Sequence, residues 1–380
     1  MYLLKKKSVL TFAYLNLGFI SGLCVDPLVK VSQGFLQGTV LETRNGRNIS
    51  AFMGVPYALP PIGKLRRESQ PSLALYSVKL RGPAVPGIAK PDGLASMTLL
   101  KVTLWAAYRV NCTLLPIMVL IPGGGFQKRS SNYYAPLYLM DKNIVLVSLN
   151  YRLGILGFLS TGDSVATGNF GLKDQVFALK WVQENIQVFG GDPNRVILFG
   201  KSGGAAFITY HLLSNSSNGL FHQYISQSGS VLVSWGYRDR SLLKKDVEFI
   251  AGKVGCPTNN SEDMVNCLRN ASFCKLLNLT TYNALDLPEI LWVPTNEVES
   301  DDAFLTDHPQ NLISQNKIKD YPFMSGSVHD EGLKPTSEHL AVTDLWQPYQ
   351  QRRFLQISNK NSADTCVTLE DDYFTDRMNF

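Results

Sequence analysis

The stretch Arg195-Val196-Ile197-Leu198-Phe199-Gly200-Lys201-Ser202-Gly203-Gly204-Ala205 runs from an apolar, β-rich segment through a Gly-x-Ser-x-Gly frame into a mostly apolar segment ending at Leu213. The first part reads as a buried parallel strand and the last as a helix, which puts Ser202 on a strand-to-helix turn. That placement carries chemistry. A serine hydroxyl is a poor nucleophile unless its oxygen stands clear of the backbone, within reach of a base and of N–H donors, and flanking glycines permit the sharp turn this needs. The frame also occurs by chance in glycine- and serine-rich chains, so its neighbours decide its meaning.

Upstream, Leu172, Val176, Leu179, Val182 and Ile186 recur at helical spacing with Asp174, Lys180, Gln183 and Glu184 between them, predicting an amphipathic helix. It stops near Phe189-Gly190-Gly191-Asp192-Pro193. Ile144 to Leu149 and Ile117 to Ile121 are two further uninterrupted apolar runs. Strands alternating with helices predict an α/β architecture around a parallel sheet covered on both faces. Directly after one of these strands stands Ile121-Pro122-Gly123-Gly124-Gly125-Phe126. Glycines there let backbone N–H groups approach a ligand, and a single such donor aimed at a developing oxyanion is worth about 3 to 4 kcal/mol in acyl transfer. The alternative, a tight loop that merely needs glycine dihedrals, is disfavoured once the serine frame is taken with it. A phosphate loop is disfavoured, since no Gly-Lys-Ser/Thr follows.

With these residues in view the chain resembles the type B carboxylesterases, the α/β-hydrolase family of cholinesterases and insect esterases. Gly54-Val55-Pro56-Tyr57-Ala58 with Pro60-Pro61 and Gly63, Leu149-Asn150-Tyr151-Arg152-Leu153-Gly154, Gly168-Asn169-Phe170-Gly171-Leu172 with Asp174-Gln175, Gly190-Gly191-Asp192-Pro193 and Ser226-Gln227-Ser228-Gly229-Ser230 match its motifs in order, from about Val31 to about Glu331. The resemblance implies an α/β-hydrolase fold with a mostly parallel central sheet and helices on both faces. It implies Ser202 as nucleophile, Gly124, Gly125 and Gly203 as oxyanion hole, Glu331 as triad acid, and Ser228 as a serine hydrogen-bonded to that acid. Cys256 and Cys267 bracket a short loop as a family disulfide does.

The chain also departs from the family. A Ser-His-Glu triad in this fold runs in the chain order serine, acid, histidine. Of the five histidines only His339 follows Glu331, eight residues on, too close for the helix and strand that would bring it opposite Ser202. The family's histidine is therefore expected outside this sequence, and the chain is expected to be C-terminally incomplete. Loss of a triad base costs about a millionfold in turnover. Lys201 stands where a carboxylate or amide is usual, and Pro122 where a histidine often begins the oxyanion loop. The segment from Arg81 to Asn111 reads as irregular, without clean periodicity, and Asp371 to Arg377 as a helix.

Composition bounds the rest. With 380 residues and 45% hydrophobic content the chain can bury a sizeable core, and the expectation is a signal peptide over residues 1–24 followed by one domain over 25–380. Lys5-Lys6-Lys7 precedes an apolar run from Val9 to Leu23 with cleavage near Cys24; an uncleaved anchor is the alternative. Six Asn-x-Ser/Thr sequons, at Asn48, Asn111, Asn215, Asn259, Asn270 and Asn278, fit secretion. Cys112, Cys274 and Cys366 have no evident partners. A net charge of +5 without a basic, aromatic-interleaved stripe gives no support for nucleic-acid binding. No Cys or His cluster has metal spacing, so no cofactor is expected, and nothing fixes an oligomeric state. Three readings compete: a secreted serine esterase acting on small carboxylic esters, an inactive esterase-like binding or adhesion module, and a fragment with an exposed sheet edge.

Overall fold

The computed structural model describes residues 27–59, 100–107, 113–272, 275, 276, 279 and 290–331. The expectations for the leader, Asn111, Asn278, Cys112, Cys274, Cys366, His339 and Asp371 to Arg377 fall outside these residues.

The apolar runs form strands, as their composition requires. A small hairpin pairs β1 (Leu28–Val31) with β2 (Gly34–Gln37). The main sheet comprises β3 (Thr39–Glu42), β4 (Asn48–Pro56), β5 (Lys101–Ala107), β6 (Leu115–Ile121), β7 (Val145–Leu149), β8 (Gly191–Lys201), β9 (Gln223–Gln227) and β10 (Phe323–Gly326), in the spatial order β10-β9-β8-β6-β7-β5-β4-β3. Strands β7, β6, β8, β9 and β10 run parallel; β5, β4 and β3 add an antiparallel flank. All of β7 is buried, as expected of a central strand covered on both faces.

Side chains alternate between two cores, the signature of period-two packing. Phe52, Val102, Leu104, Ile117, Val119, Val145 and Val147 join the larger cluster. Their strand neighbours Ala51, Trp105, Ala107 and Leu146 join Ile49, Met140 and Ile144 in a smaller one. Helices α1 (Gly154–Phe158), α2 (Phe170–Asn185) and α3 (Gly203–Leu213) pack into the larger core, followed by α4 (Arg240–Val254), α5 (Ser261–Asn270) and α6 (Pro309–Ser314). Cys256 and Cys267 form a disulfide that joins the end of α4 to α5.

Two expectations need correction. The segment Arg81 to Asn111 is not irregular throughout, because Lys101 to Ala107 forms β5, bonded to both β4 and β7. Its Lys-Val-Thr-Leu-Trp-Ala-Ala composition hides a strand buried at six of seven positions, and full burial removes the alternation by which strands are read. Second, α2 is amphipathic only in its C-terminal half. Lys180 and Glu184 are exposed, but Lys173, Asp174 and Gln175 are buried with the apolar residues. Asp174 is buried because Arg152 meets it there, fully buried as well, through Nε–Oδ2 and Nη2–Oδ1 contacts of 2.7 Å each. Such a charge is tolerated only when paired and hydrogen-bonded.

Candidate active site

Ser202 sits between the last residue of β8 and the first of α3, with φ 57° and ψ −123°. This conformation is costly for a residue with a Cβ, about 1–3 kcal/mol, and persists only where surroundings enforce it. They do so through backbone. The Ser202 N–H donates to the Gln227 carbonyl at 2.8 Å, and its carbonyl accepts from Ala206 N–H at 3.0 Å. A Cβ on Gly200 would lie 2.8 Å from the Ile121 carbonyl oxygen, one on Gly204 2.2 Å from that same oxygen, and one on Gly229 2.4 Å from the Ser202 carbonyl oxygen. The glycines of this region are thus required by close backbone packing around the serine.

The glycine loop is brought against this turn from β6. A Cβ on Gly123 would stand 2.2 Å from the Lys201 carbonyl oxygen, and the Cβ position of Gly203 is 3.2 Å from the Gly125 nitrogen. Gly124 and Gly125 take φ 131° and 59°, values that favour glycine. The loop is anchored at both ends. The Tyr151 hydroxyl donates to the Pro122 carbonyl, and Gly154 N–H donates to the Phe126 carbonyl at 2.8 Å. Phe126 is fully buried among Phe158, Phe207 and Trp235. So Ser202, Gly124, Gly125 and Gly203, far apart in sequence, converge at the carboxyl ends of the parallel strands, where open α/β sheets place ligands.

Ser228 and Glu331 come to the same end of the sheet. Ser228, with φ 55°, donates its N–H to the Gly326 carbonyl at the end of β10, and Glu331 follows Gly326 by five residues. The hydrogen bond Glu331 makes among the described residues is from Val328 N–H at 3.2 Å, and its side chain is exposed. The Ser226 hydroxyl donates instead to the Gly229 carbonyl at 2.7 Å.

The described histidines are occupied elsewhere. His211, at the far end of α3, is buried between Ser217 and Gln175, with Nδ1–Oγ 2.7 Å and Nε2–Oε1 2.9 Å. Burial, with the nearby Lys319 charge, lowers its pKa to about 3. His222 Nδ1 accepts from Val196 N–H midway along β8. His308 caps α6, and exposed His329 pairs with Asp330.

Several framing residues carried motif matches without a role read from sequence. Asn169 enters α2 at φ 56°. Its amide donates to the Thr295 carbonyl and to Glu297 Oε1, while Oδ1 accepts from Thr295 N–H. Lys173 bridges Glu297 and Asp302 at 2.7 and 2.9 Å. Burial raises the Glu297 pKa, with Lys173 opposing. The signal available in sequence was a charged or amide residue inside an otherwise apolar helix entry; its partner more than a hundred residues away was not.

A family profile described as "Carboxylesterase family" matches residues 25–75 and 99–377. The chain belongs to the carboxylesterase family. It is 41% identical to Esterase E4 of Myzus persicae over 81% of this chain and 57% of that protein. It is 35% identical to Juvenile hormone esterase of Tribolium castaneum over 92% of this chain and 63% of that protein. Neuroligin-2 of Mus musculus is 30% identical over 81% of this chain and 42% of its own length. The carboxylesterase-family chain thus spans about 57% to 63% of the length of the two insect esterases. The sheet and its helices are those of the α/β-hydrolase fold that the family match implies.

The exposed surface completes the description. The sequon asparagines Asn48, Asn215, Asn259 and Asn270 are all exposed. Among the described residues, no helix is long and apolar enough to cross a membrane, and no group of three or more His, Cys, Asp or Glu side chains could hold a metal ion.

Proposed function

We propose that this chain carries the nucleophilic half of a secreted serine hydrolase acting on small carboxylic esters. In this reading Ser202 Oγ attacks the ester carbonyl carbon while a histidine outside the described residues, oriented by Glu331, takes the hydroxyl proton. The carbonyl oxygen becomes negative and is met by the N–H groups of Gly124, Gly125 and Gly203. The leaving alcohol takes the proton, and water then cleaves the acyl-serine by the same steps in reverse order. Ser228 steadies the loop that carries Glu331. We place the activity in one domain over 25–380, after a leader over 1–24, with N-linked sugars on the sequons, and propose no cofactor.

The observation that supports this best is the forced, positive-φ Ser202 with Gly203 packed on the Gly125 amide. Nothing in a plain structural turn calls for three separated glycine segments to close on one serine. The test is labelling of the secreted chain with a fluorophosphonate beside Ser202→Ala, with aryl acetate hydrolysis read on the same samples. Labelling and hydrolysis that vanish in the variant support the reading; a folded protein that carries the family's C-terminal histidine and neither labels nor hydrolyses overturns it. A second reading, an inactive binding module, is favoured by the absence of a Ser202–histidine hydrogen bond among the described residues, and that second outcome would select it.

A further inference from the structure

Pro122 and Gly123 are buried, while Gly124 and Gly125 are only partly so. A buried peptide needs partners for both its carbonyl and its N–H, and the peptide joining Pro122 to Gly123 finds them in two tyrosine hydroxyls. The Tyr151 hydroxyl donates to the Pro122 carbonyl, and the Gly123 N–H donates to the Tyr134 hydroxyl oxygen at 3.4 Å. One tyrosine thus holds the oxygen of this peptide and the other its hydrogen. The two are tied together behind it. Ser131 N–H, in the turn that ends at Tyr134, donates to Asn150 Oδ1 at 2.7 Å, and Asn150 precedes Tyr151. The Tyr151 ring also packs edge-on against Phe207 of α3 at 5.2 Å, which links the pair to the helix that Ser202 begins. Further along the loop, the Gly124 carbonyl accepts from Gln127 and Lys128 N–H at 3.2 Å each. Among the described residues the Gly124 and Gly125 N–H groups themselves donate to no protein acceptor.

We propose that Tyr134 and Tyr151 are positioning residues: by clamping the Pro122–Gly123 peptide from its two edges they keep the Gly124 and Gly125 N–H groups aimed at the ester carbonyl. The inference rests on the esterase reading of Ser202. Glycines leave neighbouring peptide planes free to rotate at little steric cost, and a turned plane presents a carbonyl oxygen where an N–H is needed. An oxyanion donor is effective because it already points to where charge develops. Two hydroxyls bonded to opposite edges of one plane stop its rotation together, and removal of either frees it. The competing account is that the hydroxyls do no more than satisfy a buried peptide. It predicts lower stability, loss of turnover only through unfolding, and independent effects of the two hydroxyls.

The test removes one hydroxyl at a time and keeps each ring. Tyr134→Phe, Tyr151→Phe and the double variant are compared in the full-length secreted protein that carries the family's C-terminal histidine. Aryl acetate turnover is read per fluorophosphonate-titrated site, and hydrogen exchange at the Gly123 amide is read by mass spectrometry. Each single variant should lower kcat about tenfold with KM changed by less than about twofold, as misaligned transition-state donors do. The double variant should lose about as much as the worse single, since one peptide is freed only once. Gly123 exchange should quicken about tenfold in Tyr151→Phe, although its own acceptor on Tyr134 is still in place. Tyr138→Phe, at an exposed tyrosine of the same segment, serves as control. Unchanged kcat per site in both single variants overturns the clamp and leaves the esterase reading standing. Losses that multiply in the double variant, or Gly123 exchange that responds to Tyr134→Phe alone, overturn it as well. A native protein that turns nothing over, with Gly123 exchange quickened alike by either variant, overturns the esterase reading and leaves the clamp on the loop.

Discussion

Gly203 and Gly204 are adjacent and chemically identical, yet their surroundings give opposite expectations for an added methyl. On Gly204 a Cβ would stand 2.2 Å from the Ile121 carbonyl oxygen and 3.2 Å from the Gly123 nitrogen. That is backbone at the base of the glycine loop, which cannot move without moving β6. On Gly203 the nearest atoms are 3.2 to 3.3 Å away, two of them on the Phe126 ring, and no positive φ is required. Gly204→Ala is expected to cost about 3 kcal/mol or to unfold the elbow. Gly203→Ala should change stability by under about 1 kcal/mol, because the entropy saved in the unfolded chain offsets the tight contact. Thermal midpoints of the two variants measured side by side check this, and equal loss would show that the elbow does not hold the loop as described. The sequence displayed both glycines and the serine; it did not show which glycine was structurally obligatory, since that depends on a carbonyl from a strand about eighty residues away.

At the scale of an element, α3 connects Ser202 to a buried titrating group. Ten of its eleven residues are buried, so the helix cannot shift without disturbing both the sheet and the turn it begins. His211 in its last turn is held neutral. With Nε2–H donating to Gln175 Oε1, Nδ1 accepts the Ser217 hydroxyl proton, and the ring meets Phe221 and Phe304 edge-on. Lys319 reinforces neutrality by donating to the His211, Leu212 and Ser214 carbonyls at the helix end. Its own pKa falls to about 8 through burial. Because the folded pKa of His211 is about 3 against 6.5 for the free side chain, the unfolded chain binds the proton first as pH falls. The stability contributed by the neutral ring is therefore full above pH 6.5 and is lost progressively toward pH 3, at up to about 1.4 kcal/mol per pH unit. Unfolding midpoints in urea between pH 8 and pH 4 should fall more steeply for the native chain than for His211→Gln. Parallel profiles would mean the ring is not buried as a neutral group. Sequence pattern placed this helix well, because an apolar run after a strand is legible locally. It misread the first half of α2, where Asp174 counted as a polar-face residue, because its burial is licensed by Arg152 on another segment.

At the scale of the whole molecule the informative feature is β10, the outermost strand of the sheet among the described residues. All four of its residues are exposed; Phe323 and Met324 keep 66% and 67% of their surface, and Val328 beyond the strand 64%. Tyr224 of β9 stacks on Phe323 at 5.2 Å, extending the apolar strip onto the neighbouring strand. An exposed apolar edge offers both unpaired backbone groups and hydrophobic surface to another chain. Met324→Lys is expected to raise the concentration at which the chain self-associates, read by light scattering or sedimentation, with little change in unfolding midpoint. Unchanged association would mean that this edge is not the sticky surface.

The sequence by itself determined the family and with it the fold, the strand-turn-helix setting of Ser202, the glycine loop after β6 and the cysteines that pair. These are local patterns, each carried by residues adjacent in the chain and by the dihedral freedom of glycine or the apolarity of a buried strand. Only the tertiary structure decided that the loop and the elbow touch through Gly123 and Lys201. The burial of Asp174 against Arg152 and the strand hidden in Lys101 to Ala107 also became visible only there. Each of those depends on atoms from distant segments sharing a few ångströms, and the energy of such a contact is a property of the pair, written in neither stretch alone.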